Sequence, residues 1–405
     1  MNGNNSVPNI RFKGFEDKWK INRLLSITTV YSGLTYKPED IQTSGTLVLR
    51  SSNIQEGKII KKDCVYVNSS VVNSINVEKK DVILVVRNGS KKLIGKHAIV
   101  MQNMKNTVIG AFMSGLRPKN GDFLNALLNT ETFKKEVFRS LGATINQITN
   151  KDLKRMKFYL PFSYEQQKIG NLFTKLDKLL DLQQQKIDKL ELLKKTLLQK
   201  LFPKHDAKIP ELRYREFEDN WIICSFSGLL IKNSSKNKNL EVENIESISN
   251  KNGFTKQSEQ FDGYRVASLD LSNYYVIKGN QFAYNPSRIN VGSIAYKRKG
   301  EKDSIISPLY VSFSTKNNIN DIFLWYWFRT SSFKKQRIQF SEGGVRDTLP
   351  FENLKKMRIK LPRLNEQQKI GNLLSKVDQL IELENQKLQN FQQVKKCLLQ
   401  NMFVE

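Results

Sequence analysis

The sequence predicts an α+β protein built twice over. Its expected architecture is two globular domains separated by two long helices that form an antiparallel coiled coil, related by a pseudo-twofold internal repeat. Three observations lead there. Residues 163–202 and 364–403 align without a gap, and 20 of these 40 positions are identical. A second echo opens each half, where Pro8 to Trp19 (PNIRFKGFEDKW) matches Pro210 to Trp221 (PELRYREFEDNW). Finally, a proline-free stretch with an apolar repeat follows a Leu-Pro pair in each half, at Leu160-Pro161 and Leu361-Pro362. A period of about 201 residues is too long for a solenoid and suits two complete domains.

The globular parts read as mixed. Short apolar runs such as Asp81 to Val86 and Tyr274 to Ile277, bounded by Gly and Asn, predict strands and turns. Phe123 to Phe138 and Ile322 to Phe333 carry helical spacing and follow the strand-rich part in each copy. The domain limits read from the sequence are 1–160 for the first globular domain, 161–203 for the first long helix, 204–361 for the second domain and 362–405 for the second helix.

Ser163 with Gln166, and Asn365 with Gln368, have the spacing of capping boxes at the two helix starts, one residue out of register with each other. About 40 residues at 1.5 Å each make rods of roughly 60 Å. The first apolar seam runs Ile169, Phe173, Leu176, Leu180, Gln183, Ile187, Leu190, and continues through Lys194, Leu197 and Leu201. The second runs Ile370, Leu374, Val377, Ile381, Glu384, Leu388, Phe391, then Lys395, Leu398 and Met402. Alternating steps of four and three define a coiled-coil seam, and polar residues at matched places in both seams fix register at some cost in stability. The two rods are therefore expected to pack on each other. Gly170 and Gly371 interrupt them near the start, where either a close backbone approach or one inherited glycine copied by the duplication would account for them.

Lys and Arg number 66 against 39 Asp and Glu, a formal charge of +27. Such an excess costs self-repulsion and points to a polyanionic partner, most often nucleic acid. No run of about 18 apolar residues and no leader-like start occurs, so a cytoplasmic protein with no membrane partner is expected. Cys64, Cys224 and Cys397 are far apart, which excludes a cysteine-built zinc site.

The usual catalytic constellations are missing. His97 and His205 are the only histidines and have no metal-ligand or triad spacing, and neither a Walker loop nor a Gly-x-Gly-x-x-Gly is present. Tyr284-Asn285-Pro286-Ser287 is a partial likeness to the Asn-Pro-Pro-aromatic signature of amino-group DNA methyltransferases, without its second proline or aromatic. Glu56-Gly57-Lys58 has the acid-x-Lys spacing of metal-dependent nucleases, but in a chain this rich in lysine such triplets arise by chance. No catalytic residue and no metal site is expected.

Taken together, the helices opening with Glu165-Gln166-Gln167-Lys168-Ile169 and Glu366-Gln367-Gln368-Lys369-Ile370, and the Phe-Glu-Asp-x-Trp at each entrance, resemble the specificity subunit of type I restriction-modification enzymes. The likeness covers essentially the whole chain. Further echoes are Leu49 to Ile54, and the Gly142-Ala143 and Gly343-Gly344 turns with Leu153-Lys154 and Leu354-Lys355 ten residues on. The resemblance implies that each globular domain is a target-recognition domain reading one half of a bipartite double-stranded DNA site. It implies helices that set the unread gap and dock two modification subunits. Those partners would carry the methyltransferase chemistry with S-adenosylmethionine, and restriction subunits, the ATP-driven motor-nucleases, would join for cleavage. No cofactor is then expected on this chain, which would be non-catalytic. Residues 25–140 and 226–340 do not align, so the two half-sites should differ.

Arg can bind guanine and Asn or Gln adenine with two hydrogen bonds, while Lys and Arg also hold phosphates. The base- and phosphate-contact candidates on polar loops are Arg50, Arg87, Asn88, Lys91 and Gln147 in the first domain, and Arg265, Arg288, Arg298 and Arg346 in the second. Two other readings stay open: an enzyme in its own right, and a non-catalytic coiled-coil scaffold without DNA sequence preference.

Overall fold

A computed structural model describes residues 6–141, 146–204, 207–250, 253–256, 270–343 and 347–404. The duplicated segments form two helices of 38 residues each, Ser163–Lys200 and Leu364–Asn401. The chain divides into two compact units, one of Met1–Gln185 with Asn385–Glu405 and the other of Lys186–Glu384. The unit limits thus fall inside the long helices rather than at the Leu-Pro pairs, because each helix packs part of its length with each globular half.

Each unit is built on the same frame. In the first, an antiparallel sheet runs in the order Thr28–Ser32, Met113–Pro118, Val82–Val85, His97–Ile99. In the second the order is Leu230–Lys232, Val311–Thr315, Gln281–Tyr284, Ile294–Lys297, again antiparallel throughout. A separate two-stranded ribbon precedes each long helix, pairing Lys20–Arg23 with Lys157–Leu160 and Ile222–Ser225 with Arg358–Leu361. Regions without alignable sequence therefore share a topology, since alternation and burial set a strand while many residues satisfy them.

The units differ in what is added to the frame. The first carries a second sheet, Thr107–Ile109, Thr46–Leu49, Val65–Val67 and Ile41–Gln42, whose first two strands are parallel. In the second, the added strands are two antiparallel pairs, Glu246–Ser249 with Gly253–Lys256 and Tyr275–Ile277 with Ser304–Ile306.

Each aromatic stretch with helical spacing proves to be two short helices, Gly121–Leu128 with Glu131–Ser140, and Asp321–Trp327 with Ser331–Phe340. Thr130 and Thr330 make the break, each hydroxyl accepting from the amide three residues on, at Phe133 (3.2 Å) and Phe333 (3.3 Å). The capping boxes read at the long helices also need correction. The helices start at Ser163 and Leu364, in register, so Asn365 lies within the first turn. The matched side chains are Gln166 and Gln367, whose Nε2 groups donate to the carbonyls of Pro161 and Pro362, both at 2.9 Å.

None of the fourteen seam residues from Ile169 to Leu190 and from Ile370 to Phe391 is exposed. Ile169 and Phe173 lie in the core of the first unit, and Ile370, Leu374 and Val377 in that of the second, so the first turns of each seam are shared with the globular half. Gly170 and Gly371 explain the fit. A Cβ at Gly170 would lie 2.6 Å from the Phe123 amide nitrogen, and one at Gly371 would lie 3.2 Å from that of Phe323. The long helix therefore touches the backbone of the first turn of the preceding short helix, Gly121–Leu128 or Asp321–Trp327, in both units.

Candidate nucleic-acid interface

In the first unit the buried strand Val82–Val85 delivers the chain to the surface, and the amide of Ile148 donates to the carbonyl of Val86 at 2.8 Å. That bond pins the returning loop beside the outgoing one, and Arg87 and Gln147 face each other in an isolated β-bridge. Asn146 Nδ2 donates to the Gly89 carbonyl at 2.9 Å, and Asn88 Nδ2 to Ser51 Oγ at 3.3 Å. Ser51 follows Arg50, whose Nη2 donates to the Asp63 carbonyl at 2.7 Å while its buried Nε has no partner among the described residues. Lys91 opens the exposed turn Lys91–Leu93 on the same loop. Arg50, Arg87, Asn88, Lys91 and Gln147 are thus gathered at one surface, with the side chains of Arg50 and Asn88 held by hydrogen bonds that fix loop shape rather than engage solvent.

The second unit distributes its candidates differently. Arg288 is exposed on the turn Pro286–Val291 that follows Gln281–Tyr284, and the Leu349 amide pins it by donating to the Pro286 carbonyl at 3.1 Å. This repeats the bond from Ile148 to Val86, so Arg288 occupies the loop that corresponds to Arg87 and Asn88. Arg298 is exposed just beyond Ile294–Lys297, at the opposite end of that hairpin, because Gln281 pairs with Lys297 and Tyr284 with Ile294. The fold therefore separates Arg288 from Arg298. Arg265 and Arg346 lie outside the described residues, as do Gly142, Ala143, Gly344 and His205.

Two features were not anticipated from the sequence. Phe112 is 55% exposed, and the Arg87 guanidinium lies over its ring at 5.1 Å, a cation–π pair that presents both a positive charge and an aromatic face. Lys297, by contrast, is 2% exposed, and its Nζ donates to Glu246 Oε2 at 2.6 Å and Ser304 Oγ at 2.9 Å. It anchors the strand Glu246–Ser249, and only alternation within its own strand could have placed it inside.

The suspected catalytic fragments are structural. Tyr284 is buried with its hydroxyl donating to the Leu349 carbonyl at 2.9 Å, and Asn285 Oδ1 caps the next turn by accepting from the Ser287 amide. Glu56-Gly57-Lys58 is a tight turn between two short strands, and Lys58 pairs with Asp181 of the long helix. His97 is packed edge-on against Phe133, with Nδ1 3.0 Å from the Gly95 carbonyl, and burial pushes its pKa down. Among the described residues no cluster of three or more His, Cys, Asp or Glu is placed to hold a metal, and no helix is long and apolar enough to cross a membrane.

Each unit also carries a duplicated latch. Glu165, near the start of the first long helix, accepts from Arg11 Nε (2.7 Å) and Nη2 (2.8 Å) and from Trp19 Nε1 (3.2 Å). Glu366 does the same with Arg213 Nε and Nη2, both at 2.8 Å, and with Trp221 Nε1 at 3.3 Å. The buried carboxylates hold both guanidinium groups above their usual pKa. In the first unit the Ile10 amide caps the Asn401 carbonyl at 2.8 Å, and in the second the Leu212 amide caps that of Lys200 at 2.9 Å. Phe403 and Phe202 complete the sites, 6.2 Å from Trp19 and 6.5 Å from Trp221 between ring centres.

This repeated frame coincides with a known family pattern. The type I restriction modification DNA specificity domain matches residues 16–192 and again residues 222–393. The chain belongs to this family. Among type I specificity subunits, it is 28% identical over 171 residues to the StySPI specificity subunit of Salmonella potsdam, an alignment covering 40% of this chain and 36% of that protein. It is 23% identical over 319 residues to the MjaVIII specificity subunit of Methanocaldococcus jannaschii, 73% of each chain. The matched region thus spans little more than a third of the StySPI protein's length. The crystal structure of a type I restriction-modification S subunit from M. genitalium has the same fold, with a TM-score of 0.62 at 15% identity, over 98% of this chain and 99% of that one.

Proposed function

We propose that this chain is the DNA specificity subunit of a type I restriction-modification complex, with each unit reading one half of a split, asymmetric duplex site. The observation that carries this reading is the family match in both halves on a repeated frame, together with a net charge of +27. The differing additions to the two frames support different half-sites. In the first unit Arg87, Asn88, Lys91, Gln147 and Arg50 would meet DNA, with Arg288 in the corresponding loop of the second and Arg265, Arg298 and Arg346 as further contacts. Phosphate contacts would dominate affinity and make it steeply salt-dependent.

The long helices act as an antiparallel coiled coil with a pseudo-twofold axis. Matched ion pairs support this: Asp177 meets Lys395 in the first unit, and Lys194 meets Asp378 in the second. These are one interaction written twice, because Asp177 corresponds to Asp378 and Lys194 to Lys395 in the duplication. The coil sets the gap between half-sites and docks two modification subunits, and restriction subunits join for cleavage in the cytoplasm. S-adenosylmethionine and ATP belong to those partners, and this chain performs no chemistry.

The test is co-expression with the modification subunit in a methylation-free host, with modified adenines read by single-molecule sequencing. A split, asymmetric motif that depends on this chain is expected. Methylation that ignores the chain, or none from a stable complex, would favour a scaffold without sequence preference. Residues inserted between Pro203 and Pro210 should lengthen the gap and leave both half-sites intact.

A further inference from the structure

Each unit ends one of its added strands in a turn that pushes an apolar side chain outward. In the first unit the turn is Gly110 to Met113, closed by the Met113 amide donating to the Gly110 carbonyl at 2.9 Å. In the second it is Ser307 to Tyr310, closed by the Tyr310 amide donating to the Ser307 carbonyl at 3.0 Å. Each runs from an added strand, Thr107–Ile109 or Ser304–Ile306, into the common sheet at Met113–Pro118 or Val311–Thr315. The turns share no residue, yet the third position of both is an exposed apolar side chain. Phe112 is 55% exposed and Leu309 81%, more than any other large apolar side chain among the described residues. Single exposed apolar residues are ordinary. Their recurrence at one place in two unlike sequences calls for a cause.

Both turns are stiff, and both stand beside the loops that carry the candidate contacts. The Phe112 carbonyl accepts from the Val86 and Arg87 amides at 3.0 and 3.2 Å, and the Gly110 amide donates to the Leu49 carbonyl at 2.8 Å. The first turn is thus tied to the chain at Arg87 and next to Arg50. In the second, Pro308 fixes its own φ, and the Leu309 amide donates to Ser307 Oγ at 3.3 Å. Met113 pairs with Val85 and Val311 with Tyr284, so each turn lies at the sheet end from which the loop of Arg87 or of Arg288 leaves. Leu309 stands one residue further from its strand pairing than Phe112 does, in keeping with its greater exposure.

We infer that Phe112 and Leu309 each read a thymine, packing against the C5-methyl group of one pyrimidine in its unit's half-site. The inference rests on the function proposed above, which assigns only polar and charged contacts. Arginine grips guanine, and asparagine or glutamine adenine, with two hydrogen bonds in the major groove, and side chains on the same surface enter that groove with them. There the thymine methyl is the one alkyl group on any base edge. The Arg87 guanidinium lies 5.1 Å from the Phe112 ring centre, more than one base-pair step of about 3.4 Å, so an Arg87 that grips guanine sets the ring against a neighbouring pair. Phenyl and leucine side chains gain nothing from phosphate, whereas packing either against a methyl group removes apolar surface from water.

The test uses the full chain in complex with its modification subunit, on a duplex carrying the motif mapped by methylation sequencing. Each thymine is replaced in turn by deoxyuridine, which lacks only the methyl group. One such position in each half-site should weaken binding by about three- to tenfold. Phe112→Ala should lose a similar factor on the thymine duplex and become indifferent to deoxyuridine in the first half-site, while staying sensitive in the second. Leu309→Ala should show the converse, and Phe112→Leu should keep part of the thymine preference. Melting temperatures should not change, because both side chains are exposed. Tolerance of deoxyuridine throughout, a half-site with no thymine on either strand, or a deoxyuridine penalty that survives the alanine change in its own unit would overturn the inference and leave the proposed function standing. So would 2-aminopurine brightening at the contact that disappears in the alanine variants, which would make these side chains wedges between base pairs instead. A complex that directs no motif would overturn both.

Discussion

The four-stranded sheet that begins at Thr28 in the first unit reappears from Leu230 in the second with the same strand order, whereas the second sheet around Thr46–Leu49 recurs only in part among the described residues, where Ile245 makes a parallel bridge with Ile305. The latch is stricter still: Arg11, Trp19 and Glu165 recur as Arg213, Trp221 and Glu366, with nearly the same distances. Parts that hold the long helices are therefore fixed residue by residue, parts that shape the domain are fixed in topology only, and parts that face outward from the domain are free. Two units under one mechanical demand but different recognition demands would diverge in that order.

The largest effect should come from the latch. Glu165→Ala leaves Arg11, 11% exposed, without its carboxylate, and Glu366→Ala does the same to Arg213. Removing one partner of a buried pair costs about 3–5 kcal/mol. Each variant should lower the melting temperature by a similar amount and speed amide hydrogen exchange first in its own unit. Unequal losses would break the equivalence of the two latches.

A smaller, one-sided effect is expected at Lys297. Glu246 is 15% exposed, so losing its cation in Lys297→Met, with only the Ser304 hydroxyl left on the carboxylate, should cost about 2–3 kcal/mol. Exchange should rise along Glu246–Ser249 and nowhere in the first unit, because nothing equivalent to this pair is found among the first unit's described residues.

The two helix glycines sharpen the comparison further. Alanine gains about 1 kcal/mol in helix propensity over glycine. At Gly170 the new methyl would meet the Phe123 backbone at 2.6 Å, which must shift, at about 1–3 kcal/mol for overpacking. At Gly371 the contacts begin at 3.2 Å and include the Ile322 side chain, which can give. Gly170→Ala should destabilise and Gly371→Ala should be close to neutral by chemical denaturation.

Much of this was legible in the sequence because duplication exposes itself. The long helices, their seams and the entrance motifs rest on local periodicity and direct identity, which one chain contains in full. The common sheet was invisible, since Val82–Val85 and Gln281–Tyr284 share burial but no residue. The helical spacing of the two aromatic stretches was legible but not the break within each, because Thr130 and Thr330 make it through one hydroxyl each, without proline or glycine. Among the candidate contacts, Arg87, Asn88 and Gln147 were found as polar loop residues, but their convergence depends on a bond between Ile148 and Val86 that spans 62 positions. Lys297 shows the opposite failure: in a chain with 66 basic residues, composition gives no hint of which one is buried.

The smallest predicted effect tests the outward surfaces. Arg87 is exposed, stacked on Phe112, and its guanidinium makes no hydrogen bond among the described residues, so Arg87→Ala should leave stability within about 0.5 kcal/mol of the parent. Its loss should weaken duplex binding by about 1–3 kcal/mol if it reads a base and relax the motif at one position of the first half-site alone. A phosphate contact would give a different signature, with weaker binding to every sequence, a shallower salt slope and an unchanged motif. Arg288→Ala in the corresponding loop supplies the matched measurement for the second half-site. Crossed effects, in which Arg87→Ala alters the second half-site, would show that the two units do not read independently.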